Sequence, residues 1–118
     1  MKQVLITGGS RGIGAAAVRA FSRDCDVAFF YEKNHAAARA VAEETGARAI
    51  CCDVADPEGV KQAVASLPPV DILVNNAGVW LPSLFSETTE EQWNRMIDLN
   101  LNGTFRVTKA FLPSMLRN

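Results

Sequence analysis

The feature that most constrains this chain is a glycine-spaced turn near its start. Residues 7 to 14 read Thr-Gly-Gly-Ser-Arg-Gly-Ile-Gly and follow the apolar run Val4-Leu5-Ile6. Gly8 permits a sharp reversal after a strand, Gly12 lets a ligand approach the main chain, and Gly14 lets a helix pack tightly on the sheet. The helix N-terminus adds free N–H groups and partial positive charge, so the turn predicts a site for a dinucleotide pyrophosphate.

The rest of the chain alternates apolar runs with segments of helical period. Strands are predicted at Gln3–Thr7, Asp26–Tyr31, Ala47–Cys52 and Asp71–Asn75. Each is nearly continuous in apolar residues, as parallel strands covered on both faces are. Right-handed crossovers predict an α/β fold, a Rossmann-type doubly wound parallel sheet with strand order 3-2-1-4. Residues 1–118 are expected to form one dinucleotide-binding domain. The alternative to a dinucleotide site is that the glycine turn at residues 7–14 serves only the packing of the helix on the sheet.

The helices carry their own signals. A second helix is expected around His35–Thr45, and a third after the N-cap pair Asp56-Pro57. Thr89–Gln92 has the form of a capping box, and its helix is expected to run through Leu101 and to resume past Gly103. The predicted buried stripe of the first helix consists of Ile13, Ala16, Ala17, Ala20 and Phe21.

Composition argues against several classes of partner. The net charge is -1 and the 12 Lys and Arg residues are scattered, so no nucleic acid is expected as a partner. Apolar stretches fall short of the roughly 18 residues that span a bilayer, and no signal-peptide core follows Met1, so no membrane partner and a cytoplasmic location are expected. Three cysteines suit a reducing compartment as buried small side chains, and no metal site is expected because His35 is the only histidine.

Four motifs together resemble the short-chain dehydrogenases/reductases, in the right order and at the right spacing. They are the glycine turn, Asp53-Val54, Asn75-Asn76-Ala77-Gly78 and Asp98-Leu99-Asn100-Leu101. The resemblance covers the whole chain and is greatest to the bacterial 3-oxoacyl-[acyl-carrier-protein] reductases and their relatives. It implies an oxidoreductase that transfers a hydride between a nicotinamide dinucleotide and a small-molecule carbonyl or alcohol.

The resemblance also implies roles for individual residues. Ser10-Arg11-Gly12 and the Ile13 N–H would face the pyrophosphate, and Asp53 and Val54 would flank the adenine. Asn75 to Gly78 would line the adenosine ribose and the central part of the cofactor, while the Thr7 hydroxyl would tie the first loop to the fourth. The alternatives are that Asp53 only caps a strand end and that Asn75-Asn76 is only a turn.

Asn100 stands on a stripe of apolar residues. Trp93, Met96, Ile97 and Asn100 recur at helical spacing, so Trp93 is expected in the core, and an unpartnered buried amide would cost about 1 to 3 kcal/mol. The resemblance implies that Asn100 belongs to an Asn-Ser-Tyr-Lys set and holds a water of a proton relay. A local helix break is the alternative. Trp80 is expected either in the wall of a substrate pocket or in the core.

The choice of cofactor depends on the end of the second strand. An acidic residue there bonds the ribose diol, whereas nearby Arg or Lys accepts a 2'-phosphate. Here the tip is Tyr31, Arg11 stands in the glycine loop, and Lys33 can offset the charge of Glu32. We therefore expect NADP(H) in preference to NAD(H). A solvent-facing Glu32-Lys33 pair without a role in binding is the alternative.

The tyrosine and lysine of the family's catalytic set have no counterpart at the expected spacing. Tyr31 is the only tyrosine, and His35 stands four residues later where a lysine would be needed. The family's serine, tyrosine and lysine would fall beyond Asn118, so the chain is expected to be truncated relative to the family and inactive alone. The alternatives are a non-catalytic nucleotide-binding module, a partner subunit of a full-length relative, or a fragment.

The expected sheet leaves an unpaired edge. In the family the fourth strand pairs with a fifth, so the run Ile72-Leu73-Val74 would be exposed on one side. The final helix adds the apolar residues Phe105, Leu112 and Met115. Self-association, or completion of the fold by another segment, is therefore expected.

Overall fold

The computed structural model describes residues 1–78 and 83–117, and its centre is a parallel four-stranded sheet. The order is β3-β2-β1-β4, which confirms the predicted α/β fold and strand order. The register places Ile6 beside Phe29 on one side and Val74 on the other. The last two strands are one residue shorter at each end than predicted. The strands are β1 (Gln3–Thr7), β2 (Asp26–Tyr31), β3 (Arg48–Cys51) and β4 (Ile72–Val74).

In the described residues five α-helices follow the strands, and most begin and end at the expected signals. The Asn34 side chain accepts the N–H of Ala37 at the start of the second helix, which ends at Gly46 with a positive φ. Thr89 and Gln92 form the predicted capping box. The helices are α1 (Gly12–Phe21), α2 (His35–Thr45), α3 (Pro57–Ala65), α4 (Glu90–Ile97) and α5 (Gly103–Arg117), with a 3-10 turn at Phe85–Glu87.

The sheet separates two apolar layers. Val4 and Ile6 face α1 and α2, together with Phe29 of β2. Leu5 and Phe30 face α3 and α5. Because successive side chains of a strand point to opposite faces, both faces of β1 and β2 are covered, and this explains their continuous apolar runs.

The buried face of α1 differs from the predicted stripe. The residues that are buried are Gly14, Ala15 and Val18, whereas the Ile13 side chain is 81% exposed. Ala17 and Phe21 pack against the core as predicted. The prediction was wrong for Ile13, Ala16 and Ala20, because α1 is rich in alanine, which gives little contrast in hydropathy, and because the smallest residues pack closest to the sheet. Tight packing of the helix start on β1 therefore takes precedence over apolar periodicity.

The helix from Glu90 does not break near Asn100. A π-helical segment, Asp98–Asn102, joins α4 directly to α5. This corrects the expected interruption before Gly103, because the extra residue of a π turn is accommodated within the helix. The prediction that Trp93 is a core residue was also wrong, since it is 51% exposed and no residue of α4 is buried. No described helix is both long and apolar enough to cross a bilayer.

Candidate cofactor-binding site

A groove of about 500 Å³ lies along the carboxyl edge of the sheet, where the loops after β1, β2, β3 and β4 meet. Ligands of doubly wound sheets bind at this edge. Most of the predicted binding residues line the groove, namely Gly8, Ser10, Arg11, Gly12, Tyr31, Lys33, Asp53, Val54, Ala77 and Gly78. The loops that carry these residues are separate in sequence, so the fold brings the predicted set together.

A buried hydroxyl joins the first loop to the fourth. Thr7 is 1% exposed, and its Oγ1 accepts the N–H groups of Asn76 at 2.9 Å and Ala77 at 2.8 Å. The Asn76 side chain donates in return to the Gly8 carbonyl at 3.1 Å. This confirms the expected link between the loops and shows that Asn76 shapes the groove by holding the glycine turn.

The glycine turn depends on close backbone approach. A Cβ on Gly14 would lie 1.9 Å from the Gly8 carbonyl oxygen, so only glycine fits there without a shift of the main chain. Gly8 has φ +68 and Gly12 has φ +56, a region that other residues rarely adopt. The N-cap residue Arg11 makes no side-chain capping hydrogen bond, which leaves the first N–H groups of α1 to the groove.

Three of the predicted binding residues lie outside the groove lining. Gly14 is buried behind the turn, and the Ile13 side chain points to solvent. Asn75 donates from Nδ2 to Thr108 Oγ1 at 3.0 Å, which ties the end of β4 to α5. The contribution of Ile13 is therefore limited to its main chain, and Asn75 acts on the position of the helix.

The end of β3 is held from two directions. Asp53 Oδ1 accepts the N–H of Ala55 at 2.9 Å, so the strand-end turn considered for Asp53 is present while the residue also lines the groove. Val54 is buried, and its carbonyl accepts Arg106 Nη1 at 2.6 Å from α5. A positioned Val54 gives the groove a firm apolar wall beside the Asp53 carboxylate.

The end of β2 is rich in charge. Arg95 of α4 donates from Nη2 to Glu32 Oε1 at 2.8 Å, whereas Lys33 Nζ lies 4.0 Å from the same oxygen and is 84% exposed. Arg95 is therefore the main partner of Glu32, where the sequence suggested Lys33. The Tyr31 hydroxyl is hydrogen-bonded to His35 Nδ1 at 2.8 Å, and the two rings pack edge to face.

Two adjacent cysteines at the end of β3 have different surroundings. Burial, and then the charges of Asp53 and Asp56, raise the pKa of Cys52 to about 11. Cys51 is exposed, and its Sγ lies 3.4 Å from the Glu32 carbonyl oxygen. The expectation that all three cysteines are buried is confirmed for Cys52 alone, since Cys25 is only partly buried and Cys51, the last residue of β3, is exposed at a sheet edge.

Asn100 lies in the π-helical segment, close to the loop after β4. A Cβ on Gly78 would come within 2.8 Å of Asn100 Oδ1, so glycine lets the amide approach this loop. Asn100 itself is exposed and is absent from the groove lining, while the neighbouring Leu99 is buried and lines it. Trp80, expected in a pocket wall or in the core, lies outside the described residues.

Several residues of the groove were not found from the sequence. Phe30, Asn34, Cys52 and Leu99 line it because their strand or helix ends at the same edge. Arg95 and Arg106 hold the walls from α4 and α5. Position directly after a strand could have revealed Cys52, and the N-cap position before α2 could have revealed Asn34, whereas no local pattern marks the two arginines. In the described part of the chain, no cluster of His, Cys, Asp or Glu is arranged to hold a metal ion.

Comparison with known proteins agrees with this geometry. The family model for short chain dehydrogenase matches residues 2–118. The chain belongs to the short-chain dehydrogenases. An acetoacetyl-CoA reductase from Paracoccus denitrificans is 45% identical over 97% of the chain. A 3-oxoacyl-[acyl-carrier-protein] reductase from Staphylococcus aureus is 37% identical over 98% of it. The resemblance inferred from the four motifs is thereby confirmed.

A solved relative shares the fold of this short-chain dehydrogenase chain. A blue fluorescent protein from a metagenomic library, crystallised in complex with NADPH, superposes with a TM-score of 0.88 at 41% identity and covers 97% of the chain. The chain covers 51% of that structure and 49% of the Paracoccus relative. It thus spans about half the length of the relatives that it matches.

Proposed function

We propose that residues 1–118 form the dinucleotide-binding part of an NADP(H)-dependent oxidoreductase. In that reaction a hydride passes between the nicotinamide and a carbonyl or alcohol carbon of a small molecule. The observation that carries the proposal is the groove itself, which runs from the N-terminus of α1 to the charged ends of β2 and β3. The relatives support it, because one is named a reductase of acetoacetyl-CoA and another was crystallised with NADPH.

The pyrophosphate is assigned to the glycine turn. Ser10, Arg11 and Gly12 line the groove there, and the Arg11 side chain does not cap α1, so we assign the first N–H groups of the helix, including that of Ile13, to the anion. A helix N-terminus stabilises negative charge through these donors and through its partial positive charge. The absence of a side chain at Gly12, where a Cβ would meet nothing within 4 Å, leaves the main chain open to the phosphates.

The adenosine is assigned to the opposite end of the groove. Val54 is the apolar wall for the adenine, with Asp53 beside it, and Tyr31 lies at the strand tip where the ribose is expected. Arg11, at the glycine turn, and Lys33, after β2, are exposed cations that line the groove. A 2'-phosphate would find cations here, so the residues present fit NADP(H) better than NAD(H).

Asn100 is proposed as the chain's own member of the catalytic set. Its Oδ1 lies against Gly78, on the loop after β4 that is assigned to the central part of the cofactor. There it would hold a water of the proton relay. Tyr31 is not assigned the role of proton donor, because it lies at the end of the groove assigned to the adenosine, where its hydroxyl is hydrogen-bonded to His35.

Calorimetry with NADPH and NADH tests the cofactor assignment. The chain should bind NADPH more tightly than NADH, and Arg11→Ala should weaken NADPH by on the order of 1 to 3 kcal/mol with little effect on NADH. Arg23→Ala is the matched control, because Arg23 is exposed just before β2 begins, at the opposite edge of the sheet. A preference for NADH would contradict the assignment to Arg11 and Lys33.

Turnover is tested separately from binding. With NADPH and simple ketones or 3-oxoacyl thioesters, residues 1–118 alone should oxidise no cofactor above background, because general acid catalysis typically contributes about 10² to 10⁴ in rate. Cofactor binding without turnover is the expected result. Steady oxidation that survives repurification would show that another acid replaces the tyrosine.

We also propose that these residues self-associate or are completed by another segment. In the described part of the sheet β4 pairs only with β1. Phe105, Leu112 and Leu116 of α5 are exposed, although Met115 packs against the core. Sedimentation equilibrium should give a dimer or a larger species. Phe105→Glu should reduce association more than the control Phe85→Glu, which alters an exposed ring in the 3-10 turn and not in α5. A well-folded monomer at micromolar concentration would contradict this proposal.

A further inference from the structure

Two carboxylates stand at the adenosine end of the groove. Glu32 follows β2 and Asp53 follows β3, and both line the groove. Their side chains are about one third exposed, so solvent screens their charges only in part. A 2'-phosphate carries about -1.5 to -2 charges at neutral pH and would be repelled by free carboxylates at this position. Binding of NADP(H) here therefore requires that their charge be offset.

Arg95 reaches both carboxylates from α4. Its Nη2 donates to Glu32 Oε1 at 2.8 Å, and its Nη1 lies 4.0 Å from Asp53 Oδ2. The arginine follows Glu32 by 63 residues, so the contact is made by the fold rather than by neighbouring sequence. Lys33 is at 4.0 Å from Glu32 and largely in solvent, and it restrains the carboxylate less.

The pair has two consequences for a bound cofactor. While Glu32 is held by Arg95, its carboxylate is neutralised and has one oxygen engaged, so it is less able to accept hydrogen bonds from a ribose diol. If the arginine were absent, Glu32 would be free to turn toward the ribose. There it would repel a 2'-phosphate and bond the 2'- and 3'-hydroxyls that NAD(H) presents.

We propose that Arg95 is a positioning residue that sets the preference for NADP(H) by holding Glu32. The inference rests on the proposed function, since it assumes that the adenosine end of a nicotinamide dinucleotide occupies this part of the groove. Arg95 is absent from the groove lining, so it acts through the carboxylate and not by contact with the phosphate. Removal of Arg95 should therefore weaken the binding of NADPH without weakening that of NADH.

The experiment measures Kd for NADPH and NADH in wild type, Arg95→Met, Glu32→Gln and the double variant, at one salt concentration. Arg95→Met should weaken NADPH by about five- to tenfold and leave NADH unchanged or tighter. In the Glu32→Gln background the same change should weaken NADPH by clearly less, about twofold, because no carboxylate is released. Arg95→Lys should restore part of the preference for NADPH.

The matched control is Arg19→Met. Arg19 pairs with Glu44 at 2.7 Å between α1 and α2, and neither residue lines the groove, so both affinities should stay as in wild type. Thermal melting of each variant checks that it folds. If Arg95→Met does not fold, Arg95→Lys and Glu32→Gln still test the proposal.

Four results would overturn the inference. Equal weakening of NADPH and NADH by Arg95→Met would mean a purely structural role. An equal loss of NADPH affinity with and without the Glu32 carboxylate would mean that Arg95 contacts the phosphate directly. If wild type binds neither cofactor, the proposed function fails and this inference fails with it, whereas normal NADPH binding with an unchanged preference in Arg95→Met removes only the inference.

Discussion

The two ends of the groove are built in different ways. The turn between β1 and α1 consists of main chain and glycines, and its hydrogen bonds join backbone atoms to the Thr7 hydroxyl and the Asn76 side-chain amide. The rim at the ends of β2 and β3 consists of long charged side chains, partly exposed, that come together from distant segments. The first end is fixed by steric exclusion, whereas the second is set by charge balance and can change without loss of the fold.

Substitution of Gly14 should have the largest effect. Gly14→Ala would place a Cβ 1.9 Å from the Gly8 carbonyl oxygen, so the turn must open, at a cost of about 3 kcal/mol or more in the free energy of unfolding. Gly12→Ala is the control, because it has a positive φ but open space, and should cost only about 1 to 2 kcal/mol. Urea unfolding measures both. Equal losses would show that steric exclusion does not govern the turn.

Loss of the Thr7 hydroxyl should come next. Thr7→Val keeps the shape but leaves the N–H groups of Asn76 and Ala77 without their acceptor, which should cost about 2 to 4 kcal/mol. Thr7→Ser keeps the hydroxyl and should cost about 1 kcal/mol from the lost methyl group. If the serine variant were as unstable as the valine variant, packing rather than the two hydrogen bonds would hold the loops together.

At the charged end, Arg106 should matter less. Arg106→Met removes the 2.6 Å hydrogen bond to the Val54 carbonyl and the pairing with Asp98, and should lower the free energy of unfolding by about 1 to 2 kcal/mol. Arg19→Met breaks an exposed ion pair and should cost about 0.5 kcal/mol or less. Chemical denaturation at two salt concentrations compares them. If Arg106→Met lowered the free energy of unfolding by as little as Arg19→Met, Val54 would be held by packing alone.

At neutral pH the smallest effect is that of the Cys52 thiol, which changes stability only in alkaline solution. The pKa of Cys52 is raised from 9.0 to about 11, so the folded state keeps a proton that the unfolded state releases. Below pH 9 the Cys52 thiol is protonated in both states and does not reduce stability. As the pH rises toward 11, the free energy of unfolding should fall by on the order of 1 to 2 kcal/mol. Cys52→Ala should therefore show a shallower decline in melting temperature over that range than wild type.

Thiol labelling gives an independent measurement of the same difference. In the folded protein near pH 8, iodoacetamide should modify the exposed Cys51 and leave the buried Cys52 unmodified, because the thiolate is the reactive form. Both should react in urea. Rapid labelling of Cys52 in the folded state would show that this wall of the groove opens.

The sequence was most informative where structure follows from local chemistry. Gly8, Gly12 and Gly14 predicted the turn because each position has a steric requirement that few residues meet. The strand order followed from the alternation of elements and the handedness of crossovers. The hydrogen bond from the loop after β4 to the Thr7 hydroxyl could be predicted because the family resemblance indicated which loop contacts Thr7.

The charged end could not be predicted in the same way. Nothing near Arg95 in the sequence indicates Glu32, since a surface arginine on a polar helix is common and pairing depends on how α4 lies across the sheet. The buried face of α1 was misassigned because alanine provides little contrast in hydropathy. The assignments of individual residues to parts of the cofactor stay predictions until binding is measured.

The π-helical segment determines which way α4 faces. Each residue of an α-helix turns it by about 100°, so removal of one residue from Asp98–Asn102 would rotate everything before it relative to α5. The face of α5 that buries Val107 and Phe111 would stay in place, while Arg95 would turn away from Glu32. If Arg95 sets the cofactor preference as proposed above, a single inserted or deleted residue in this helix would alter that preference without any substitution inside the groove.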